Sequence, residues 1–153
     1  MITIKEMAEM LGISTTTVSN VINGKTSEVS QKTAEKVQKL LDEYDYVPNM
    51  NAKNLAQNHS RLIGIVLKRR KDKYENIFTD PFHGELLGAL ESAIREQGYY
   101  MMIYISEDIE EIVRNIVGWN TEGLILIGML HDDYLKIRGK YKKPAVLIDS
   151  YTP

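Results

Sequence analysis

The polar residues between positions 14 and 23 are of types, and at a spacing, that could do chemistry. Five hydroxyl and amide side chains share one side of a helical repeat: Thr15, Thr16, Ser19, Asn20 and Asn23. Hydroxyls bond base edges or phosphates, threonine methyls pack on thymine methyls, and asparagine pairs with adenine through two hydrogen bonds. This uncharged face fits either the major groove of DNA or the solvated surface of an ordinary three-helix bundle.

Three short blocks of apolar residues at helical spacing must position that face. The first block spans 4–11 and is followed by Gly12, which allows a sharp turn at positive φ. Ser14 is placed to cap the second block, 15–23, and Ser30 to cap a third that runs to about Tyr44. A helix, a glycine turn and a second helix is the spacing of a helix-turn-helix.

After Pro48 the pattern changes twice. Residues 49–60 are polar and predict a linker with one or two helical turns. Beyond Arg61, apolar runs at 62–67, 99–105, 124–127 and 145–148 alternate with amphipathic stretches at 82–97 and 107–117. We therefore expect a parallel sheet with helices on both faces and a ligand site beyond its strand ends. Those ends lie near Lys68, Ser106, Gly128 and Asp149.

Composition excludes several classes of protein. The chain has 153 residues, a net charge of −2 and no cysteine, so it carries no disulfide, thiolate metal site or cysteine nucleophile. The start has no signal-peptide pattern and no apolar run is long enough for a membrane span, so we expect a cytoplasmic protein without a membrane partner.

Enzymatic signatures are weak in this sequence. The residues that follow the first predicted strand, Lys68-Arg69-Arg70, replace the glycine-rich loop that would hold a phosphate. His59, His83 and His131 lack metal-ligand spacing and are expected at the surface. Glu110-Glu111 and Asp132-Asp133 are interpreted as solvated helix ends. We expect no catalysis, no cofactor and no metal.

Taken together, the N-terminal motifs resemble the LacI/GalR family of bacterial repressors over residues 2–58. The matching segments are Ile4-Lys5-Glu6-Met7-Ala8, Gly12-Ile13-Ser14, residues 17–24, Val29-Ser30, Thr33, Lys36-Val37, Tyr46-Val47-Pro48-Asn49, Ala52 and Leu55-Ala56. The βαβ pattern beyond them is similar to the family's periplasmic-binding-protein-like sensor domain.

The resemblance implies a set of DNA contacts. Thr15, Thr16 and Asn20 match positions that read base edges, whereas Ser14, Thr17, Ser19 and Asn23 match positions that hold phosphate or brace the helix. The stretch from Asn49 to Ala56 resembles a hinge helix that folds when two chains meet on DNA. Within it Leu55 matches a minor-groove wedge at a central C-G step, beside Ala52 and the cation Lys53.

An effector site is implied more loosely. Asp80-Pro81-Phe82-His83 resembles an Asn-Pro-Phe-Phe stretch near which the family holds sugars, and it departs from that pattern at its first and last positions. The expected effector residues are Tyr74, Phe78, Asp80, Phe82, Ser106 and Asp149. A capping role is the alternative for Asp149. The basic run at 68–73 is expected at the cleft rim, where an anionic effector is conceivable, rather than on nucleic acid.

The resulting expectation has three parts. Residues 1–47 form an all-α, three-helix helix-turn-helix DNA-binding domain, 48–60 a hinge helix, and 61–153 a partial α/β parallel-sheet domain of periplasmic-binding-protein type. Because family members are about twice this length, we expect a fragment or a truncated product. The expected function is a transcription regulator, a repressor, that binds a pseudo-palindromic operator as a homodimer and answers to a sugar or sugar phosphate.

Two alternatives stay open from the sequence. One is a DNA-binding fragment without effector sensing. The other is a cytoplasmic solute-binding or enzymatic α/β module whose helical N-terminus only packs or interacts.

Overall fold

A computed structural model of the chain describes residues 1–69 and 76–150. These residues form two compact units: the first is Met1–Lys53 and the second begins at Asn54. The division falls inside the predicted linker. None of the helices in the described ranges is both long and apolar enough to cross a membrane.

The first unit contains three helices, α1 (Ile4–Leu11), α2 (Thr15–Ile22) and α3 (Gln31–Glu43), and a 3₁₀ turn at Thr26–Glu28. Each helix begins at a hydroxyl cap, because Thr3, Ser14 and Ser30 accept hydrogen bonds from the amides of Glu6, Thr17 and Thr33 respectively. Gly12 ends α1 at φ +65°, a left-handed conformation that favours glycine. The local sequence thus sets both sides of the turn between α1 and α2.

The core of the helical unit is small and formed by all three helices. Its buried residues are Met7, Ala8, Val18, Val37 and Leu40, and eight partly buried apolar side chains pack around them. Val18 is the buried residue that α2 contributes to this cluster. The opposite side of α2 is therefore left to its hydroxyl and amide side chains.

A fourth helix, α4 (Met50–Gln57), occupies the predicted linker. The Asn49 side-chain oxygen accepts hydrogen bonds from the amides of Asn51 and Ala52 at its start, at 3.0 and 3.3 Å. All eight residues of α4 are at least partly exposed. Because a helix this short gains little stability without packing, α4 is marginally stable by itself.

The second unit is a parallel α/β sheet, as the apolar pattern predicts. Its strands are β1 (Leu62–Lys68), β2 (Tyr100–Ser106), β3 (Gly123–Ile127) and β4 (Ala145–Ile148), in the order β2-β1-β3-β4 with all neighbours parallel. The helices are α5 (Pro81–Glu96), α6 (Ile109–Gly118) and α7 (His131–Lys140). The expected fold class, a helical helix-turn-helix unit followed by a parallel α/β unit, is confirmed.

Alternation along the strands divides the core of the sheet into two clusters. Val66, Leu124 and Leu126 pack with α6 and α7 on one face. Ile65, Leu67 and Ile127 pack with α5 on the other face. Both faces of the sheet are therefore apolar, which explains why the strands appear in the sequence as continuous apolar runs.

Candidate nucleic-acid interface

The outer face of α2 presents the residues expected to contact DNA bases. Thr15 and Thr16 are exposed in the first turn, and Asn20 is half-buried one turn further along the helix. Thr16 and Asn20 lie on the side of the helix away from the buried Val18, whereas Thr15 is exposed at the start of the helix. The role of these three residues in reading bases stays a prediction.

The start of α2 combines a serine cap with backbone amides at the helix N-terminus. Ser14 caps the amide of Thr17 at 3.1 Å, and the two hydroxyl groups are 2.8 Å apart. The amides of Thr15 and Thr16 lie at the helix N-terminus, where no intrahelical acceptor is available to them. Such amides, together with the helix dipole, favour a phosphate oxygen without requiring a lysine or arginine.

The end of α2 is braced by its own side chains. The side-chain Nδ2 of Asn23 donates to the Ser19 carbonyl at 2.9 Å and to the Ser19 hydroxyl at 3.2 Å. The Ser19 carbonyl also accepts from the backbone amide of Asn23 at 3.0 Å, so the side chain adds a second bond to it and holds the Ser19 hydroxyl. Ser19 and Asn23 therefore have contacts that suit the bracing part of their expected role.

The side chains of α4 form a second candidate surface. Leu55 is 85% exposed, although it is a large apolar side chain in the middle of a helical turn. Ala52 is exposed beside it in the sequence, and Lys53 is half-buried. Inserting an apolar side chain between base pairs needs this kind of unburied residue on a short helix.

The carboxyl edge of the sheet is the second place where function-bearing residues gather. Lys68 ends β1 and Ser106 ends β2, and the two residues are paired in the register of these strands. Asp149 follows β4 and has a φ of +48°. The Lys68 ammonium lies 2.6 Å from a carboxylate oxygen of Asp133, which is in the first turn of α7. Because β1 and β3 are neighbours whose following helices lie on opposite faces, this ion pair is at the point where ligands of such sheets usually bind.

The Ser106 hydroxyl is already engaged. It donates to Glu111 at 2.8 Å and accepts from the amide of Asp108 at 3.1 Å, at the start of α6. The Tyr104 hydroxyl donates to the same carboxylate at 2.7 Å. These bonds from Tyr104 and then Ser106 lower the pKa of Glu111, and the bond to Glu111 raises the pKa of Tyr104. To bind an effector, the Ser106 hydroxyl would have to keep or exchange its hydrogen bonds to Glu111 and Asp108.

The loop before α5 gives the other effector candidates partly structural roles. Asp80 caps α5 by accepting from the amide of Phe82 at 2.9 Å, and its second carboxylate oxygen is 3.5 Å from Nδ1 of His83. Phe78 and Phe82 are both about half exposed and could offer an aromatic surface to a ligand. Tyr74 lies outside the described residues.

Three interpretations of charged and histidine residues need correction. Asp133 is buried and ion-paired, not part of a solvated helix end, because Lys68 reaches it from β1. Glu111 is half-buried in the network with Tyr104. His83 and His131 are only partly exposed, and the buried Nδ1 atom of each makes no hydrogen bond to the residues that the structure describes, with the Asp80 carboxylate 3.5 Å from that of His83. His131 to Asp133 begin α7, a few residues after β3 ends at Ile127. This place in the sequence, shortly after a predicted strand, is the signal that could have identified Asp133 as a residue of the strand-end site.

The fold and the α2 surface define a class of protein: a helix-turn-helix unit joined through a short helix to a parallel α/β unit. Residues 3–49 match the family model for bacterial regulatory proteins of the lacI family. The N-terminal part of this chain is therefore a lacI-family helix-turn-helix domain, as its motifs indicate.

Relatives with assigned roles match along most of the chain. The HTH-type transcriptional repressor PurR of Vibrio vulnificus is 33% identical over 97% of this chain and 44% of its own length. The HTH-type transcriptional regulator MalR of Streptococcus pneumoniae is 31% identical over 88% of this chain and 41% of its own. The sucrose operon repressor of Klebsiella pneumoniae is 30% identical over 97% and 44%.

Among solved structures, the lac repressor dimer bound to operator and the anti-inducer ONPF matches with a TM-score of 0.82. The two chains are 27% identical, and the match covers 98% of this chain and 45% of the repressor chain. This chain thus spans less than half the length of the relatives it matches.

Proposed function

We propose that this chain is the DNA-reading and hinge part, with part of the sensor, of a transcription repressor that binds a pseudo-palindromic operator. The observation that carries the proposal is the uncharged face of α2, held outward by a three-helix core inside a lacI-family domain. Thr15, Thr16 and Asn20 read major-groove base edges, and the α2 N-terminus contacts phosphate. In this proposal the protein performs no catalysis and acts in the cytoplasm.

Residues 48–60 act as the hinge between residues 1–47 and the α/β domain. Two copies of α4 meet in the minor groove, where Leu55 enters a central base step and Lys53 supplies a cation near the phosphates. The exposure of Leu55 and the shortage of packing around α4 support this role. The operator-bound lac repressor that the chain resembles is a dimer, which supports a homodimer here.

The carboxyl edge of the sheet forms one wall of an effector site. A sugar or sugar phosphate is the ligand class we propose, because Asp149 and the exposed phenyl rings of Phe78 and Phe82 offer hydroxyl and aromatic contacts. The names of the relatives, a sucrose operon repressor and a lac repressor bound to ONPF, support a small-molecule effector. The effector then changes operator affinity by favouring one arrangement of the hinge.

The test is selection from a random duplex library at physiological salt, with enrichment measured over non-specific binding. We expect a two-fold symmetric motif with a central C-G step. A single half-site would refute dimeric binding through the hinge and keep the base-reading role. No enrichment of any sequence would refute the proposed function of this chain.

Asn20→Ala tests base reading on the selected duplex. We expect a loss of about 1 to 3 kcal/mol in binding free energy and relaxed preference at one base pair in each half-site. Gln97→Ala, which changes an exposed amide at the end of α5, is the matched control and should bind as the wild type does. An equal loss on all duplexes would contradict a base-reading role for Asn20.

A further inference from the structure

The residues that follow α4 are held against the amino-terminal edge of the sheet. Nδ1 of His59 lies 2.6 Å from a carboxylate oxygen of Glu122, just before β3. The Ser60 hydroxyl donates to the Asn120 carbonyl at 2.5 Å and accepts from the amide of Leu62 at 3.2 Å. We call this set, His59, Ser60 and Arg61 with Asn120 and Glu122, the linker clamp.

One residue of the linker clamp has an unusual backbone conformation. Arg61 has a φ of +55°, in the left-handed region that is uncommon for residues other than glycine, asparagine and aspartate. Asn58 and Asn120 have φ values of +53° as well, and each follows the end of a helix, where asparagine often adopts this conformation. The carbonyl of Arg61 accepts from the amide of Tyr100 at 2.8 Å, which ties this bend to the start of β2. For an arginine this conformation persists only where the surrounding contacts determine it, so the bend at Arg61 marks a point at which the path of the chain is fixed.

The linker clamp reaches into the last turn of α4. The His59 amide donates to the Asn54 carbonyl at 3.0 Å, and the Asn54 side chain donates to the Ser60 carbonyl at 3.1 Å. Every residue of α4 is at least partly exposed. Among the described residues, the C-terminal turn of α4 is therefore anchored by these hydrogen bonds and by the linker clamp. Leu55, the next residue after Asn54, belongs to the same turn.

We infer that the linker clamp fixes the direction in which α4 leaves the sheet, and that Ser60 and Glu122 are positioning residues for insertion of Leu55 into DNA. This inference rests on the proposed function of α4. A polar clamp suits this task because its few hydrogen bonds set the geometry, while the exposed helix remains free to contact DNA.

The test compares Ser60→Ala and Glu122→Ala with the controls Ser92→Ala and Glu107→Ala, which alter exposed residues of the same types. Amide exchange measured by NMR on the 153-residue chain is the first readout. Loss of the Ser60 hydrogen bonds should speed exchange of the His59 and Leu62 amides about tenfold, since local opening controls exchange there. Exchange in the middle of β1 and β3 should stay slow, which shows that the variant is folded.

The second readout is binding to the duplex that the wild-type chain selects from the random library. Both clamp variants should bind this duplex about fivefold to tenfold more weakly and bend it less, whereas the two controls should match the wild type.

Each outcome decides a separate part of the inference. Unchanged exchange at His59 and Leu62 would overturn the clamp. Faster exchange with unchanged affinity and bending would overturn its positioning role and leave only a structural one. A wild-type chain that selects no duplex would refute the proposed function, and exchange at His59 and Leu62 would then decide the clamp by itself.

Discussion

Replacing Lys68 by methionine should destabilise the α/β unit, because it leaves the buried carboxylate of Asp133 without its partner. The ammonium and carboxylate are 2.6 Å apart, and the two side chains are 30% and 7% exposed. Removing one member of a fully buried pair costs about 3 to 5 kcal/mol. Water reaches the lysine end of this pair, so we expect Lys68→Met to lower the free energy of unfolding by about 2 to 3 kcal/mol.

Urea unfolding followed by tryptophan fluorescence measures this loss of stability in the α/β unit. Trp119 is the single tryptophan of the chain and lies between α6 and β3, so its signal reports on the α/β unit and not on the helical unit. The double variant Lys68→Met with Asp133→Leu removes both charges and should recover most of the stability. A loss below 1 kcal/mol for Lys68→Met, or no recovery in the double variant, would refute the assignment of a buried ion pair in which Lys68 compensates the charge of Asp133.

Three further outcomes are expected. Gly64→Ala should lower the free energy of unfolding by about 1 to 3 kcal/mol, because its β-carbon would lie 2.8 Å from a leucine methyl of β3, whereas Gly88→Ala, in open space on α5, should raise it by about 0.5 to 1 kcal/mol. The Tyr104 hydrogen bond lowers the pKa of Glu111, so the ionised carboxylate stabilises the fold at pH values above the ordinary pKa of a glutamate. This contribution is lost as the pH falls through the lowered pKa. The urea midpoint should therefore fall less between pH 7 and pH 3 in Glu111→Gln than in the wild type. Leu55→Ala should reduce DNA bending in a gel-shift phasing assay without changing the unfolding midpoint, since the side chain is 85% exposed, and unchanged bending would remove its wedge role.

Local chemistry in the sequence was sufficient to predict most elements. The Ser14 and Ser30 caps and the left-handed Gly12 depend on residues within one turn of each other, so their positions can be predicted without the fold. Helix α7 is harder to delimit, because its buried residues are Asp133 and Ile137, whereas its leucine, Leu135, is exposed. Its apolar periodicity is therefore weak, although it covers the sheet next to β3.

Candidate site residues could be predicted from the sequence only where they lie on a single helix or strand. The face of α2 is set by the helical repeat, so its exposed side chains could be named in advance. The pairing of Lys68 with Asp133, and of His59 with Glu122, joins residues that are far apart in the sequence. Neither charge signs nor spacing identify such partners, since several carboxylates are available and only the strand order β2-β1-β3-β4 decides between them.

The two units can fold at different times as the chain is synthesised, because the central strand of the sheet precedes both of its neighbours in the sequence. All contacts of the helical core are made within the first 46 residues, so this unit can fold as soon as α3 leaves the ribosome. Strand β1 is made next but is central in the sheet, and Ile63 must wait for both Met101 and Gly123 before its backbone is paired on both sides. During that interval a nearly continuous apolar strand is exposed after the helical unit has folded. Aggregation at this stage should therefore depend on β1 and not on the helices.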